Sequence, residues 1–266
     1  MKKLVVLFTI ASFYFNIKAQ DRVFSYTYQT NVLNKGQKEI EVWTTLKDGR
    51  TDYYRSLKHR LEFEVGLGRK LQTAFYLNYQ YSTGIKNEDS TQILSEKTDF
   101  SFSNEWKYKI SDPVANVFGS GIYFEYSISS TEIGIEGKVL FDKQIGKFIT
   151  ALNIVGEYTI SKDFVTKDSQ IEVKNSIETV NEIVYGLSYK LKDHLFVGFE
   201  AFNQNIFGKS KIDASILSVG PSFSYSTNGF WINFSFLPQV TNFVNNKLDL
   251  NGHEKFQARL LFSYEL

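Results

Sequence analysis

The sequence predicts an all-β fold, an antiparallel up-and-down transmembrane β-barrel of about 12 strands. Three observations predict it. Apolar and polar residues alternate with period two through most of the chain. Brief, turn-like connections alternate with longer polar ones. Beyond the N-terminus, no stretch is long and apolar enough for a membrane helix, which needs about 20 apolar residues. A closed barrel is the other spanning solution, because it pairs every backbone group and leaves no edge.

The first residues read as an export signal over 1–19. Met1-Lys2-Lys3 is a positive start, Leu4 to Phe15 is an uncharged apolar run of 12 residues, and Ala19 precedes a cut that leaves Gln20 or Asp21 first. The run is too short to span a bilayer and its flanks are those of a signal peptide. No Cys follows it, which argues against a lipoprotein anchor. Residues 20–37 form a lead-in to the barrel. They could be a plug in the lumen, a short extra strand around Val23 to Tyr28, or a lead-in outside the barrel; the sequence does not choose.

The barrel proper is expected over 38–266. Its strands are read at 38–46, 59–68, 70–81, 98–110, 114–126, 131–141, 147–160, 177–191, 195–203, 214–226, 230–237 and 255–266. In the second, Leu61, Phe63, Val65 and Leu67 share one face and Arg60, Glu62, Glu64 and Gly66 the other. A helix would scatter those charges; a strand sorts them. The same sorting sets Phe100, Phe102, Trp106 and Tyr108 against Ser101, Ser103, Glu105 and Lys107. The last strand sets Phe256, Leu260, Phe262, Tyr264 and Leu266 against Gln257, Arg259 and Glu265. Segment 114–126, with Gly119, Ser120 and Gly121, has a weak pattern, and Pro221 inside 214–226 predicts a bulge.

Short connections at Gly68-Arg69, 111–113, 142–146, 192–194 and 227–229 carry turn chemistry, Asp-Pro and Asn-Gly among it. Connections at 47–58, 82–97, 161–176, 204–213 and 238–254 are longer and polar. Short periplasmic turns and long outer loops characterise bacterial outer-membrane barrels, so both chain ends are expected on the periplasmic side.

Aromatic residues make up 16%, with 24 Phe and 16 Tyr, types favoured in strands and at membrane interfaces. Without Lys2, Lys3 and Lys18 the chain holds 27 basic and 29 acidic side chains. That balance gives no sign of a nucleic-acid partner. The absence of Cys excludes disulfides and thiolate metal sites.

The run Tyr26-x-Tyr28-x-Thr30, Leu33-Asn34-Lys35-Gly36, Glu39-Ile40-Glu41-x-Trp43-x-Thr45, Arg60-x-Glu62-x-Glu64-x-Gly66 and Leu71-Gln72-x-Ala74-x-Tyr76-Leu77-Asn78-Tyr79 resembles a family of uncharacterised bacterial outer-membrane barrel proteins. The resemblance covers residues 26–81 closely, and the remainder by strand pattern. Asn34 stands where the family usually has Pro. The resemblance implies a fold and an outer-membrane location, with no activity and no site residues. Phe262-x-Tyr264-x-Leu266 resembles the C-terminal signal read by the barrel-insertion machinery, with Leu in place of the usual terminal aromatic. Expected partners are therefore that machinery, outer-membrane lipid and LPS, and a small polar solute.

The candidate site is the lumen. Glu62, Glu64, Glu105, Lys107, Lys109, Glu136, Lys138, Glu157, Glu182, Glu200 and Arg259 fall on inward positions, because a charge facing lipid at mid-depth costs about 2–4 kcal/mol. They suit a wet channel or binding lumen for small polar solutes. A sealed lumen of paired charges with a structural role suits them too. No cofactor and no metal site is expected. Asn87-Glu88-Asp89 and Asp48-x-x-x-Asp52 read as solvated loops short of a Ca²⁺ ligand set. No catalytic residues are assigned. A lipid- or LPS-modifying enzyme would have to use His59 or His253, which could share one rim, since His194 falls in a periplasmic turn. Ser226-Thr227-Asn228-Gly229 resembles part of an outer-membrane phospholipase motif but lacks its preceding His.

Overall fold

The computed structural model describes residues 22–88, 91–167, 170–208, 211–227 and 229–266, with backbone alone at 86–88, 163–167, 170 and 171. The expected signal over 1–19 lies outside the described residues. Twelve strands form: β1 Lys38–Asp48, β2 Tyr54–Gly68, β3 Leu71–Glu88, β4 Thr91–Ser111, β5 Gly119–Ser129, β6 Glu132–Ile145, β7 Phe148–Lys167, β8 Gln170–Lys192, β9 Leu195–Phe207, β10 Ile212–Thr227, β11 Phe230–Asn242 and β12 Phe256–Glu265. Each pairs antiparallel with its chain neighbours. β1 pairs with β12, Thr44 opposite Leu260, so the sheet closes into a barrel without an edge.

The period-two pattern explains the strands, and burial shows which medium each face meets. On β2, Leu61 and Phe63 are 47% and 37% exposed, while Glu62 and Glu64 are 1% and 5% exposed. The outer surface repeats this with Phe75, Leu77, Phe100, Trp106, Ile122 and Phe223. An apolar exterior of this extent exceeds the patches that water-soluble monomers tolerate. It fits the lipid-facing band of a transmembrane barrel.

One end of the barrel has short turns. Between β2 and β3, Gly68, Arg69 and Lys70 all take positive φ, at 82°, 52° and 68°. The register slips between Gly66 and Gly68, a bulge of the kind that tightens such hairpins. The opposite end differs from the sequence expectation. Segments 82–97, 161–176 and 204–213, read as loops, are mostly strand. Ser82 pairs with Lys97, Lys162 with Asn175 and Ile206 with Ala214. These hairpins rise past the apolar band, where both faces are wet, so no alternation marks them. The expected loop at 47–58 shrinks to the connection between Asp48 and Tyr54, while Asn242 to Phe256 remains irregular.

Two more differences have local causes. β5 starts at Gly119, not at 114, because Asp112 organises residues 112–118 as a turn, its Oδ1 accepting from the N–H groups of Val114 and Ala115 at 2.9 and 3.0 Å. Pro221 pairs in register with Phe199 of β9. The irregularity lies on the β11 side, where the register slips between Leu217 and Ser218 and, after Ser218 opposite Gln239, the Cα pairing breaks until Ser222. The missing proline N–H falls in that gap.

Residues 22–37 run through the barrel without forming a strand. Val23, Phe24, Ser25, Thr27 and Thr30 are essentially inaccessible.

Candidate functional site

An irregular segment inside a barrel needs partners for its backbone polar groups, since unpaired buried ones are costly. Inward side chains supply them. The Glu200 carboxylate on β9 accepts from the N–H groups of Ser25, Tyr26 and Thr27 at 3.0, 2.8 and 2.7 Å, and from the hydroxyls of Thr27 and Ser235 at 2.9 and 2.6 Å. Asn153 on β7 grips Tyr28 from both sides, Oδ1 accepting from its N–H at 2.6 Å and Nδ2 donating to its carbonyl at 2.8 Å. Asp142 on β6 accepts from the Thr30 N–H and hydroxyl, and Gln72 on β3 from the Leu33 N–H.

The wall is shaped to this plug. A Cβ on Gly186 would lie 2.6 Å from the Phe24 ring, and one on Gly66 would lie 2.0 Å from the Asn34 carbonyl oxygen. Apolar inward residues complete the seal. Phe24 and Val23 pack on Ala151 and Phe196. Tyr26 packs on Val155, Val184 and Leu237. Tyr28 lies against Trp43 and Tyr123, with ring centroids 6.3 and 5.2 Å away, in a cluster with Leu140, Trp231 and Leu261. The anchors Glu200, Asn153 and Leu140 each lie five residues in from a short turn, so the plug fills the short-turn half of the lumen.

Above it lies a cavity of about 540 Å³, floored by Tyr26, Tyr28 and Trp43 and reaching Arg50 and Glu254 beyond the far ends of β1 and β11. The sequence-assigned residues divide between the two levels. Glu62, Glu64, Glu105 and Lys107 are buried in the plugged half, and Glu200 holds the plug. Lys109 sits at the short-turn rim, its ammonium 2.7 Å from Asp112. Glu136, Lys138, Glu157, Glu182 and Arg259 line the cavity. Glu39 and Glu41 join Glu64 in a buried group with one carboxylate oxygen of each within 4.8 Å of the others, and Arg22 of the plug approaches Glu41 at 3.8 Å.

Lys47, Lys58, Arg60 and Glu125 also line the cavity, beyond the residues the sequence assigns to the lumen. Arg60 donates to Asn78 at 2.7 Å, pairs with Glu125 at 3.3 Å and stacks over Tyr76. The Tyr76 hydroxyl hydrogen-bonds Glu105. Two register rows around the cavity differ in charge. Lys58 and Arg259 share a register row through Thr45 on β2, β1 and β12. Glu125, Glu136 and Glu157 share one on β5, β6 and β7. In a ring of twelve, β1 and β7 are opposite.

The three histidines are not brought together. His59 is on the outward face, its Nδ1 3.0 Å from the Thr44 hydroxyl and its ring stacked on Tyr79. His253 is in the Asn242–Phe256 connection, 3.9 Å from Asp249. His194 is in the β8–β9 turn near Tyr225. The expected shared rim for His59 and His253 therefore does not form: period two turns His59 outward with Leu61. Ser226 is buried at the short-turn end. Asp48 is taken by the Arg55 guanidinium at 2.7 Å, and the side chains of Asn87, Glu88 and Asp89 lie outside the described residues.

A model of a family of unknown function, DUF6662, matches residues 16–266, and the chain belongs to that family. No curated protein matches the sequence significantly. Among solved structures, an outer membrane channel from Pseudomonas putida F1 superposes with a TM-score of 0.59 at 11% identity, over 89% of this chain and 98% of that one. The NanC porin gives 0.52 at 12%, over 85% and 100%. The translocator domain of the autotransporter NalP from Neisseria meningitidis gives 0.58 at 11%, over 89% and 91%. At these identities the likeness is one of fold, that of outer-membrane β-barrels.

Proposed function

From that family and fold, we propose that the protein resides in the bacterial outer membrane and admits small polar solutes to an outer vestibule whose onward passage the N-terminal plug controls. The observation that carries this reading is the polar cavity of about 540 Å³ ending on the plug. A water-filled chamber lined by charges of both signs suits hydrated solutes, and the fold is shared with a channel and a porin. That company also favours transport over catalysis. Removal of residues 1–19 on export would leave the plug as a free N-terminal arm starting two residues before Arg22. Mass analysis of the protein from outer-membrane fractions tests this, with a first residue of Gln20 expected. Lipid and LPS around the apolar band, and the insertion machinery acting on β12, are the partners this placement implies.

Single-channel recording in planar bilayers is the main test. The full-length protein is expected to give rare, small steps, and Glu200→Ala, which removes the plug's main anchor, to raise open probability severalfold. A sealed barrel with a structural role is the second reading, favoured by how fully wall side chains satisfy the plug backbone. It wins if Glu200→Ala frees the plug to protease yet neither protein conducts or admits solutes to liposomes.

A further inference from the structure

The charges around the vestibule are not uniformly paired. Arg60 meets Glu125 at 3.3 Å, Lys138 meets Glu136 at 2.8 Å and Arg50 meets Glu254 at 2.6 Å. Four others have no ion-pair partner among the described residues. Lys58 opens to the cavity, its ammonium without a hydrogen-bond partner among the described residues. Arg259 donates to the Thr45 hydroxyl at 2.9 Å and the Ser25 carbonyl at 3.3 Å, and lies over the Tyr26 ring. Glu157 accepts only a long 3.4 Å bond from Thr159, and Glu182 accepts from Gln204 at 3.0 Å. The two cations are on β2 and β12, the two carboxylates on β7 and β8, across the ring from them. All four line one cavity.

Opposite charges on facing walls, held apart and without a direct ion-pair partner, set up a field across a cleft whose walls are of low dielectric. A monovalent solute gains on one wall and loses on the other. A dipolar ion gains on both when its ends are far enough apart to reach them. Twelve strands about 4.8 Å apart and tilted by about 40° make a ring roughly 24 Å across. Long side chains reaching in from both walls leave about 13–15 Å between charged tips, and an ionic contact of about 3 Å at each end reduces this to about 7–9 Å. A free amino acid is too short. An extended chain covers about 3.4 Å per residue, so the termini of roughly three residues match the gap.

We propose that the vestibule binds short zwitterionic peptides of about three residues, with the terminal carboxylate at Lys58 and Arg259 and the terminal ammonium at Glu157 and Glu182. This rests on the reading of the vestibule as a solute site. Tyr26, Tyr28 and Trp43 floor the site with their rings under Arg259, Lys138 and Arg60, so recognition falls to the peptide's termini and not to its side chains.

Isothermal titration of the full-length, detergent-folded protein at low salt tests it, with tri-alanine, its N-acetylated and C-amidated forms, and alanine as probes. Tri-alanine is expected to bind. Blocking either end should weaken binding at least tenfold, and alanine should bind at least tenfold more weakly. Lys58→Gln, which leaves Arg259, should shrink the penalty for amidation and keep that for acetylation in full, and Glu157→Gln, which leaves Glu182, the reverse, with heat-modifiable gel mobility confirming that each variant folds. Equal binding of blocked and free peptides, or no binding of tri-alanine at millimolar concentration, overturns the proposal. Conductance separates it from the passage reading. A protein that conducts but ignores peptide termini overturns this inference alone, and one that binds tri-alanine as described but never conducts overturns passage alone.

Discussion

The two halves of this lumen are built from the same strands on the same alternation, yet one is packed and the other is open. In the short-turn half, inward positions carry Leu140, Leu237, Leu261 and Trp231, all nearly inaccessible, beside Glu200, Asn153 and Asp142, each bonded to the plug backbone. In the other half they carry Lys58, Arg60, Glu157 and Glu182 around open space. What separates the halves is a second piece of chain in one of them. Where the plug runs, Glu200 and Asp142 become hydrogen-bond acceptors for its peptide groups; where it does not, wall charges remain available to a solute.

The largest way to break that contrast is at Glu200. Glu200→Ala strands three plug N–H groups and the Thr27 hydroxyl, while the Ser235 hydroxyl keeps the Ser25 hydroxyl at 2.8 Å. Each unsatisfied buried group costs about 1–3 kcal/mol, offset in part by water entering the gap, so plug docking should weaken by about 4 kcal/mol. Hydrogen exchange should show residues 22–33 losing protection while the strand amides keep theirs. Equal loss in both would mean that plug and wall are one cooperative unit.

A steric route is expected to be milder. In Gly186→Val the new Cβ would meet the Phe24 ring at 2.6 Å. Overpacking of this kind costs about 1–3 kcal/mol. The ring should leave its place against Ala151 and Phe196, read as lost protection at Val23 to Ser25 with Tyr28 still protected by Asn153. An unchanged exchange pattern would remove Gly186 from the account of why the wall fits the plug.

The barrel was legible in the sequence because lipid and lumen impose opposite preferences on successive residues. Strand ends were less legible. Around Ser95, Glu96 and Asn175 both faces meet water, so paired strand and polar loop have the same composition, and only the backbone register separates them. The fate of residues 20–37 was not legible either, though a signal was present. A lumen filled with water has no use for Leu140, Leu237 and Leu261 on its inward register, and such residues mark where another segment must cover the wall. Arg60 was on the polar face of a well-read strand, whereas Lys58 fell in the segment 47–58 read as a loop and belongs to β2. What the alternation lacked was depth, which decides whether an inward charge meets the plug or the cavity.

In the open half, Arg60→Gln should cost less than either plug variant. It removes the pair with Glu125 and the stacking over Tyr76 and Trp43. Glu125 keeps its 2.5 Å bond from the Tyr123 hydroxyl, and cavity water can solvate it, so about 1 kcal/mol is expected rather than the several of a sealed ion pair. Urea titration followed by gel mobility would read it. A loss as large as that in Glu200→Ala would mean that the open half is as tightly coupled as the plugged one.

The smallest effect is expected outside both halves, at the β4–β5 turn. The Lys109 ammonium and the N–H groups of Val114 and Ala115 hold the Asp112 carboxyl well below the usual aspartate range. A depressed folded-state value means stabilisation that is present above the ordinary aspartate pKa of about 3.9 and lost as pH falls through the lower folded one. The side chain is 42% exposed, so solvent screening keeps the contribution to about 0.5 kcal/mol. Asp112→Asn should therefore lower the urea midpoint slightly at pH 7, and the difference from the parent should shrink as pH falls below about 4. It should leave both plug protection and tripeptide binding untouched, since neither the plug nor the vestibule touches this turn's carboxylate. A change in either would show that the short-turn rim, and not only the wall above it, sets where the plug sits.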